Sequence, residues 1–546
     1  MKAIALLLCL ALTRDIAGSI FRHEYYPKMD RLMVQPLDYN DQQQTTRGEK
    51  TYQEIYHNHK HQHHHSSSGS SESKEKPFED QNNDYATIQT VKNWNTPVFS
   101  AIISQDNARP TYGDVITWKG LQFATGPNSP VSDQKDIEKI FNEAYNTMKH
   151  FSEEEKKAFH DAYQAASKIE NEDVHLNSSQ LLKKHQYQVE EHTVKTDDGY
   201  FLNIFRILPK QYEYVQDKKD KSVVFLAHGL LGSSDDWLLM GPKKSLAYML
   251  SDEGYEVWLG NTRGNKYARR HVSKHEAQPD FWLYSNDEVA LHDIPAMIDY
   301  ALKISEQEKL HYVGFSQGAT NVFALLASRP EYNEKIATVH AISPMVYMTK
   351  VRSPLLRMIA PNSPFYERLE DQLGWGEFKP PKELIQSLGG DMCESEIGCK
   401  NVCSNVYFVM SSIGDVDIDL IPVIMGHHPT GGSTRQMRQY GQAVASHEFR
   451  KFDYGPVINQ KVYGTVQPPK FNMSNVKVPV VLYSSKMDWL SHPEDVERLH
   501  KELPNAKDHY MVADEQFTNM DFLFSKKAPQ VVYERLIEYI KQDSTM

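Results

Sequence analysis

The sequence predicts an α/β fold in which a mostly parallel sheet carries helices on both faces. From about residue 171 onward, short apolar segments such as 222–227, 256–259 and 478–483 alternate with helical stretches. Strands that are apolar along their whole length are typical of parallel sheets covered on both sides. Ligands of such sheets bind at the carboxyl ends of the strands, so the loops after these strands are examined for function.

The predicted strands follow one another in an order that begins with a hairpin. Residues 189–194 and 200–207 flank the turn Asp197-Asp198-Gly199, a combination that favours two antiparallel strands. A helix is expected near Trp237. The remaining strands are predicted over 222–227, 256–259, 310–313, 478–483 and 509–512.

Composition excludes some classes of function. The chain has 546 residues and a formal net charge of -12. Nucleic-acid-binding proteins usually present a basic face, so this balance argues against nucleic acid as a partner. A hydrophobic fraction of 40% is enough to fill a sizeable core. The length fits an α/β domain with a cap and an additional segment.

Residues 1–19 have the features of a signal peptide. Lys2 is followed by a short apolar run over 3–12, and small residues at 17–19 offer a cleavage site. The alternative is an N-terminal anchor, but the run is too short to span a bilayer. We therefore predict a secreted, extracellular protein rather than a lysosomal one.

Cysteines and sequons agree with export. After loss of the leader the chain keeps Cys393, Cys399 and Cys403, which allow one disulfide and one free thiol. Their spacing is not that of a metal site, and no metal or cofactor is expected. Asn177 and Asn472 stand in N-x-S/T sequons and are predicted glycosylation sites.

The N-terminal part of the mature chain differs in composition from the rest. Residues 20–90 are rich in His and Ser and are expected to be disordered, because they cannot bury enough apolar surface. The tract 57–65 is either a solvated low-complexity segment or a loose binder of Zn²⁺ or Cu²⁺. Residues 91–170 form a partly helical extension, with two helices predicted over 133–170.

The strongest motif is Gly-Phe-Ser-Gln-Gly at 314–318. A predicted strand precedes it and a helical run, 319–326, follows it, which is the context of a nucleophile elbow. Glycines two residues before and after the serine relieve the clashes of a sharp turn. Ser316 would then project its hydroxyl above the sheet, at the start of a helix that favours negative charge.

A second motif, His228 to Gly232 (His-Gly-Leu-Leu-Gly), follows the strand at 222–227. Acyl transfer needs two backbone N–H donors near the developing oxyanion. A turn after this strand can supply one from Leu230, and the residue after the nucleophile, Gln317, can supply the other. The pairing with a downstream elbow favours this interpretation over an ordinary glycine-rich loop.

The remaining members of a triad should follow in the order acid, then histidine. Asp488 lies just after the strand at 478–483 and is placed correctly for the acid. The loop after the last strand, 513–522, contains no histidine. Rescue by His492 or His228 is an alternative, although neither follows the last strand. His509 is expected at the start of that strand and hence at its wrong end.

These motifs together resemble the acid-lipase family, which includes gastric and lysosomal lipases and insect lipase-3-like proteins. The resemblance runs from about residue 171 to 540 and leaves the first 170 residues outside. The segments that carry it are 198–202, 228–232 with Trp237, 258–265, 268–270, 281–282, 287–288, 293–295, 314–318, 452–455 and Asp488.

The resemblance implies an α/β-hydrolase fold with Ser316 as nucleophile, Asp488 as acid, and Leu230 and Gln317 as oxyanion donors. The family's Asn-His-Leu-Asp-Phe pattern reads Thr-Asn-Met-Asp-Phe at 518–522, so its catalytic histidine maps onto Asn519.

The resemblance also divides the chain. It implies a first core part over 171–345, a cap over 346–470 and a second core part over 471–546. Cys393 and Cys403 resemble the family's cap disulfide. The expected ligand is a lipid or fatty-acyl ester in a capped hydrophobic cleft, with transient contact to a lipid surface. The oligomeric state is open.

The missing base leaves two functional hypotheses. Asparagine cannot take a proton at neutral pH, and loss of one triad member typically costs on the order of 10⁴ to 10⁶ in turnover. The first hypothesis is a triacylglycerol or sterol-ester hydrolase whose activity is weak or lost. The second is a non-catalytic lipid binder, carrier or stored secretory protein on the same scaffold.

Overall fold

A computed structural model describes the part of the chain that carries these motifs. The described residues are 115–118, 121–124, 133–145, 153–209, 222–360, 376–380, 382, 385–386, 405–411 and 414–544. The predicted leader 1–19, the segment 20–90 and all the cysteines lie outside them. Within these ranges, no helix is both long and apolar enough to cross a membrane.

The predicted mostly parallel sheet is confirmed. Its strands are β3 (Val189–Lys195), β4 (Tyr200–Ile207), β5 (Val223–Ala227), β6 (Glu256–Leu259), β7 (Arg270–His271), β8 (Leu310–Phe315), β9 (Ile336–Ile342), β10 (Val480–Ser484) and β11 (Ala506–Met511). The order across the sheet is β11-β10-β9-β8-β5-β6-β4-β3, with β7 paired to β4. A separate hairpin consists of β1 (Val115–Trp118) and β2 (Leu121–Ala124).

The sheet changes direction at one side. From β11 to β6 neighbouring strands are parallel, whereas β4 pairs antiparallel with β6, β3 and β7. The five residues of β5 and the six of β8 are all buried, as expected for central strands covered on both faces. The loops after β5, β8, β9 and β10 consequently leave the sheet at the same edge.

Helices cover the sheet and fill the insertion between β9 and β10. They are α1 (Gln134–Tyr145), α2 (Glu153–Ala166), α3 (Ser178–Lys184), α4 (Leu246–Asp252), α5 (Asn286–Glu288), α6 (Ile294–Ser305), α7 (Gln317–Ser328), α8 (Pro354–Ile359), α9 (Val406–Ser411), α10 (Ile421–His427), α11 (Thr434–Ser446), α12 (Pro456–Tyr463), α13 (Pro493–Glu502), α14 (Asp521–Phe524) and α15 (Glu534–Ser544). The two helices predicted over 133–170 correspond to α1 and α2.

Two local predictions are wrong, and the predicted set of strands lacks one. The helix expected near Trp237 is only a 3-10 turn, Ser234–Trp237, and α4 starts at Leu246 because Gly241 (φ 75°) and Pro242 interrupt the chain. Strand β9 was not predicted at all. His509 lies inside β11, paired with Leu482, rather than at its start.

Candidate active site

Ser316 occupies a sharp turn between β8 and α7. Its backbone has φ 52° and ψ −112°, a conformation that a non-glycine residue rarely adopts. A Cβ at position 314 would lie 2.5 Å from the backbone nitrogen of Ala319, and one at position 318 would lie 2.3 Å from the carbonyl oxygen of Ala227. Both glycines are therefore required by close backbone packing, which is the steric basis of the predicted elbow.

The loop after β5 lies directly against the elbow. A Cβ at Gly229 would come within 3.3 Å of the Ser316 Cβ. The next residue, Leu230, is buried, and Gln317 is the first residue of α7, with its side-chain amide donating to the Asn286 oxygen at 2.6 Å. The two backbone amides predicted as oxyanion donors thus belong to the two segments that flank Ser316.

Asp488 lies beyond the end of β10 and is completely buried. Its Oδ1 accepts hydrogen bonds from the backbone N–H groups of Leu490 (2.8 Å) and Ser491 (2.9 Å). Its Oδ2 accepts one from the Ser343 hydroxyl and one from Asn519 Nδ2 at 3.2 Å. Burial raises the pKa of Asp488, and these hydrogen bonds oppose that rise.

Asn519 lies beside the predicted acid, at the position expected for the base. Its side-chain amide donates to Ser343 Oγ at 2.5 Å as well as to Asp488. The residue is 2% exposed, so its carboxamide is held in a closed environment. In the part of the chain that the structure describes, no histidine nitrogen bonds to Asp488.

The hydroxyl of Ser316 points to a sulfur atom rather than to a base. Ser316 Oγ donates to Met345 Sδ at 3.0 Å. The Thr320 hydroxyl donates to the Ser316 carbonyl at 3.1 Å and accepts the Met345 backbone N–H at 3.1 Å. A thioether is a weak acceptor and cannot take up the proton.

His228, one histidine considered as a substitute base, has both ring nitrogens occupied. Its Nε2 accepts the backbone N–H of Thr262 at 3.1 Å, which leaves the proton on Nδ1 for the Gly229 carbonyl at 2.8 Å. Burial lowers the pKa of His228, so the ring is neutral and committed to the loop.

His492 and His509 are also engaged elsewhere. The Nδ1 of His492 accepts the Glu494 backbone N–H at the start of α13, and its Nε2 lies 3.0 Å from an Arg352 nitrogen. His509 bonds to the Ser484 hydroxyl at 2.8 Å and to Glu497 at 3.0 Å. Neither ring has a hydrogen bond to Ser316 among the described residues.

Ser343 and Met345 are the site residues that sequence reasoning missed. Both follow β9, the strand that was not predicted. The segment Ile336–Ile342, which is rich in Ile, Val and Ala and is followed by Ser343 and Pro344, is the signal that would have found them, because it predicts a strand whose following loop lies at the carboxyl edge of the sheet.

The insertion between β9 and β10 is tied to the oxyanion loop by polar contacts. Thr430 Oγ1 donates to the carbonyl oxygens of Gly232 (2.6 Å) and Leu231 (3.1 Å). His428 Nε2 lies 2.8 Å from Asp236 Oδ1, and both side chains are buried. The segment at 428–430 and the loop that carries Leu230 are therefore fixed to each other.

A cavity of about 340 Å³ lies between α7 and α11. Met345, the residue in contact with the Ser316 hydroxyl, forms part of its wall. Apolar residues of this wall include Ala324, Val346 and Phe449. The cavity therefore lies next to the residues that contact Ser316, namely Met345 and Thr320.

One group of described residues has metal-ligand atoms close together. Atoms of Asp197, Asp198 and His292 lie within 4.8 Å of one another. Both oxygens of Asp198 already accept from the Arg263 guanidinium, at 2.6 and 2.8 Å, and His292 bonds to Asp197 at 2.6 Å. Ordinary ion pairing and hydrogen bonding account for this cluster.

Comparison with known proteins places the chain among α/β-hydrolases. Residues 178–241 match the model of a partial α/β-hydrolase lipase region, and residues 222–377 match that of the α/β-hydrolase fold. Lipase 3 of Drosophila melanogaster is 38% identical over 65% of this chain and 90% of its own length. The gastric triacylglycerol lipase of Homo sapiens is 35% identical over 68% of this chain and 92% of its own length.

The chain belongs to the acid-lipase family, as the sequence motifs predicted. The aligned lengths, 359 and 375 residues for these two relatives, leave a substantial part of this chain unmatched.

Proposed function

We propose that the protein is a secreted member of the acid-lipase family that binds a triacylglycerol or sterol ester but hydrolyses it weakly or not at all. The observation that carries this proposal is the hydrogen-bond pattern of the site. Asp488 bonds to the amide of Asn519, and the Ser316 hydroxyl bonds to a thioether.

The chemical reason is the fate of one proton. When Ser316 Oγ forms a bond to the ester carbonyl carbon, its hydroxyl proton must leave, and the same proton must reach the departing alcohol. Neither a carboxamide nor a thioether can carry it. The oxyanion donors and substrate binding alone would leave a rate enhancement of roughly 10³ to 10⁴ over the uncatalysed reaction.

Binding of the lipid does not depend on the missing base. The described part of the cap contributes buried apolar side chains that pack into one cluster with Leu230, Leu231 and Phe315 of the core. Apolar burial drives the binding of acyl chains. The alternative function, a non-catalytic lipid carrier or stored secretory protein, uses the same property and makes transient contact with lipid surfaces for loading.

Secretion and glycosylation are part of the proposal. The leader at 1–19 supports export, and Asn177 and Asn472 are both exposed. Each asparagine uses its Oδ1 as a helix-cap acceptor, for the backbone N–H of Gln180 (2.9 Å) and Ser474 (3.1 Å) respectively. This leaves each Nδ2 available for a glycan. A Cys393–Cys403 disulfide remains a prediction.

The test compares the wild-type protein with Ser316→Ala. We expect both to turn over tributyrin at the same background rate and both to resist labelling by a fluorophosphonate. A non-hydrolysable fluorescent ether analogue of a triacylglycerol should bind to both with the same affinity. Ester turnover that disappears with Ser316→Ala would show a working hydrolase, and absence of binding to both proteins would refute the lipid-binding function.

A further inference from the structure

We infer that the loop Ser343-Pro344-Met345 occupies both hydrogen-bonding positions that a catalytic imidazole would need, so that Asn519→His alone does not restore hydrolysis. This inference rests on the proposed function and extends it. Ser343 acts as a positioning residue on the acid, and Met345 acts on the nucleophile. The missing base is then one of three obstacles rather than the only one.

On the acid side, the Ser343 hydroxyl shares one oxygen of Asp488 with the residue at position 519. A carboxylate offers about four lone-pair positions, and Asp488 accepts four hydrogen bonds, two from backbone and two from side chains. Asn519→His removes one of the four, and the imidazole would have to donate to the same Oδ2 that the Ser343 hydroxyl still holds. The Ser343 hydroxyl would therefore compete with the ring for its orienting partner.

Ser343 is held firmly in this position. Its backbone N–H donates to the Tyr483 carbonyl at 2.8 Å, and the residue has φ 51° although it is not glycine. Such a conformation persists only where the surroundings fix it. The loop is also bound from the far side, because the Ser491 hydroxyl donates to the Pro344 carbonyl at 2.7 Å. The backbone of Ser343 is thus fixed from both sides, and its hydroxyl could leave Asp488 only by rotation about χ1, with loss of its hydrogen bonds to Asp488 and Asn519.

On the nucleophile side, the Met345 sulfur takes the hydrogen bond that a base would accept. Met345 is 1% exposed, and its backbone is fixed through Thr320 to the carbonyl of Ser316. The ring nitrogen of an introduced imidazole must reach the Ser316 hydroxyl to take its proton. The thioether already lies 3.0 Å from that oxygen, so it must give way first.

The test is a factorial series in the full-length protein. Its variants are Asn519→His, Asn519→His/Ser343→Ala, Asn519→His/Met345→Leu and the triple variant. Ala keeps the strained backbone of Ser343 and removes only the hydroxyl, and Leu conserves the volume of Met345 while removing the sulfur. For each variant we would measure kcat and KM with tributyrin and the pH profile of kcat/KM.

Asn519→His alone should raise kcat by less than about 10-fold, because the ring is neither oriented nor in contact with the nucleophile. The triple variant should raise it by about 10² to 10⁴, the usual contribution of a positioned general base. Changes in the two loop residues should combine non-additively with the histidine, since all three act at one site. KM should change little, because substrate contacts are unchanged.

Two matched controls separate the loop's role from general repacking. Ser485→Ala removes a buried hydroxyl three residues before Asp488 that has no hydrogen-bond partner among the described residues. Met348→Leu changes a buried methionine of the same loop region that has no hydrogen bond to Ser316 in the described structure. Combined with Asn519→His, neither should raise kcat above that of Asn519→His alone.

The pKa of the introduced imidazole tests the role of Ser343 even if every variant is inactive. The pKa of the introduced imidazole, followed by NMR, should rise when Ser343→Ala is added, because the released carboxylate stabilises the charged ring. An unchanged pKa would overturn the inference, as would full activity of Asn519→His without changes in the loop. Full activity there would leave the proposed function intact. Ser316-dependent turnover in the wild type would refute the proposed function instead.

Discussion

The site has two halves that are held by different kinds of contact. The elbow half consists of Ser316 with Gly314 and Gly318, and the acid half consists of Asp488 with Ser343 and Asn519. Around Ser316, backbone segments approach so closely that Gly314 and Gly318 leave no room for a side chain. Around Asp488, the contacts are hydrogen bonds from Ser343, Asn519 and the following backbone. The first half is fixed by shape and the second by polar pairing.

Under the proposed function, this difference explains how the chain can lack a base and still keep the sharp turn at Ser316. Close backbone packing tolerates almost no exchange, because any added atom displaces a strand or a helix. A buried polar network tolerates exchange as long as each group finds a partner. Asn519 and Ser343 provide such partners for Asp488, so the acid remains satisfied without an imidazole.

The largest expected effect concerns Ser316. In the wild type, Ser316→Ala should leave ester turnover at background, because the intact elbow has no working partner. In the triple variant Asn519→His/Ser343→Ala/Met345→Leu, the same change should return kcat to the background value, a loss of about 10² to 10⁴. Turnover of tributyrin measures both. Ser343→Ala/Met345→Leu without the histidine should stay at background, and activity there would mean that another group accepts the proton.

The second prediction compares two buried carboxylates, Asp521 near Asn519 and Asp287 near the elbow. Burial raises the pKa of Asp521, on the Asn519 side, to about 7, and that of Asp287, on the elbow side, to about 6. The ordinary value for both is 3.8. At a pH between the ordinary pKa of 3.8 and these raised values, the folded state therefore binds more protons than the unfolded chain. The contribution of these two groups to the free energy of unfolding should consequently rise as the pH falls.

Variants identify the source of this pH dependence. With Asp521→Asn, the rise in unfolding free energy between about pH 7 and pH 4 should shrink by about 2 to 4 kcal/mol, as a shift of about three pKa units implies. Asp287→Asn should remove a smaller part, confined to the range below about pH 6. Urea unfolding at a series of pH values measures both. Equal effects of the two variants would contradict the assigned values.

Much of the elbow half could be predicted from the sequence because its constraints are local. Gly314, Ser316 and Gly318 lie within five residues, between a strand and a helix, and the loop at 228–232 follows the next strand in the sheet. Steric requirements of this kind leave a fixed residue pattern. The sequence could therefore predict that the loop at 228–232 and Gln317 lie beside Ser316.

The acid half, formed by Asp488, Ser343 and Asn519, could be predicted only in part because residues far apart in the sequence contact one another there. The position after a strand predicts Asp488, and the family's motif predicts Asn519, but Ser343 is 145 residues from Asp488 and 176 from Asn519. No local pattern marks a serine as a partner of a carboxylate so far along the chain. Only the register of β9 between β8 and β10 brings these residues together.

The third prediction tests the steric basis of the elbow. Gly318→Ala should destabilise the protein by about 1 to 3 kcal/mol, because the new Cβ would meet the carbonyl oxygens of Ala227 and His228 at 2.3 and 2.8 Å. Urea unfolding measures the loss. Gly432→Ala is the matched control, because its Cβ would meet only side-chain atoms, a Leu231 methyl at 3.1 Å and the Gln436 Oε1 at 3.4 Å. A smaller loss of unfolding free energy for Gly318→Ala than for Gly432→Ala would contradict the steric explanation of the elbow.

The smallest expected effect lies at the junction of the cap with the oxyanion loop. Thr430→Val keeps the shape of the side chain but removes the hydroxyl that donates to the carbonyls of Leu231 and Gly232. The backbone N–H of Thr430 still donates to Leu231 at 2.9 Å, so the loop keeps one tie to the cap. The expected loss is about 0.5 to 1.5 kcal/mol in unfolding free energy.

The same substitution also distinguishes shape from pairing at the loop that carries Leu230. In the triple variant, Thr430→Val should slow fluorophosphonate labelling by less than about 10-fold, because one weakened tie shifts the loop without removing its N–H donors. Thr193→Val, at the exposed pair with Asn203 on the far strand, is the control and should change neither quantity. A decrease in the labelling rate of about 10²-fold or more would mean that this loop is positioned mainly by hydrogen bonds, as Asp488 is, and not by close backbone packing as Ser316 is.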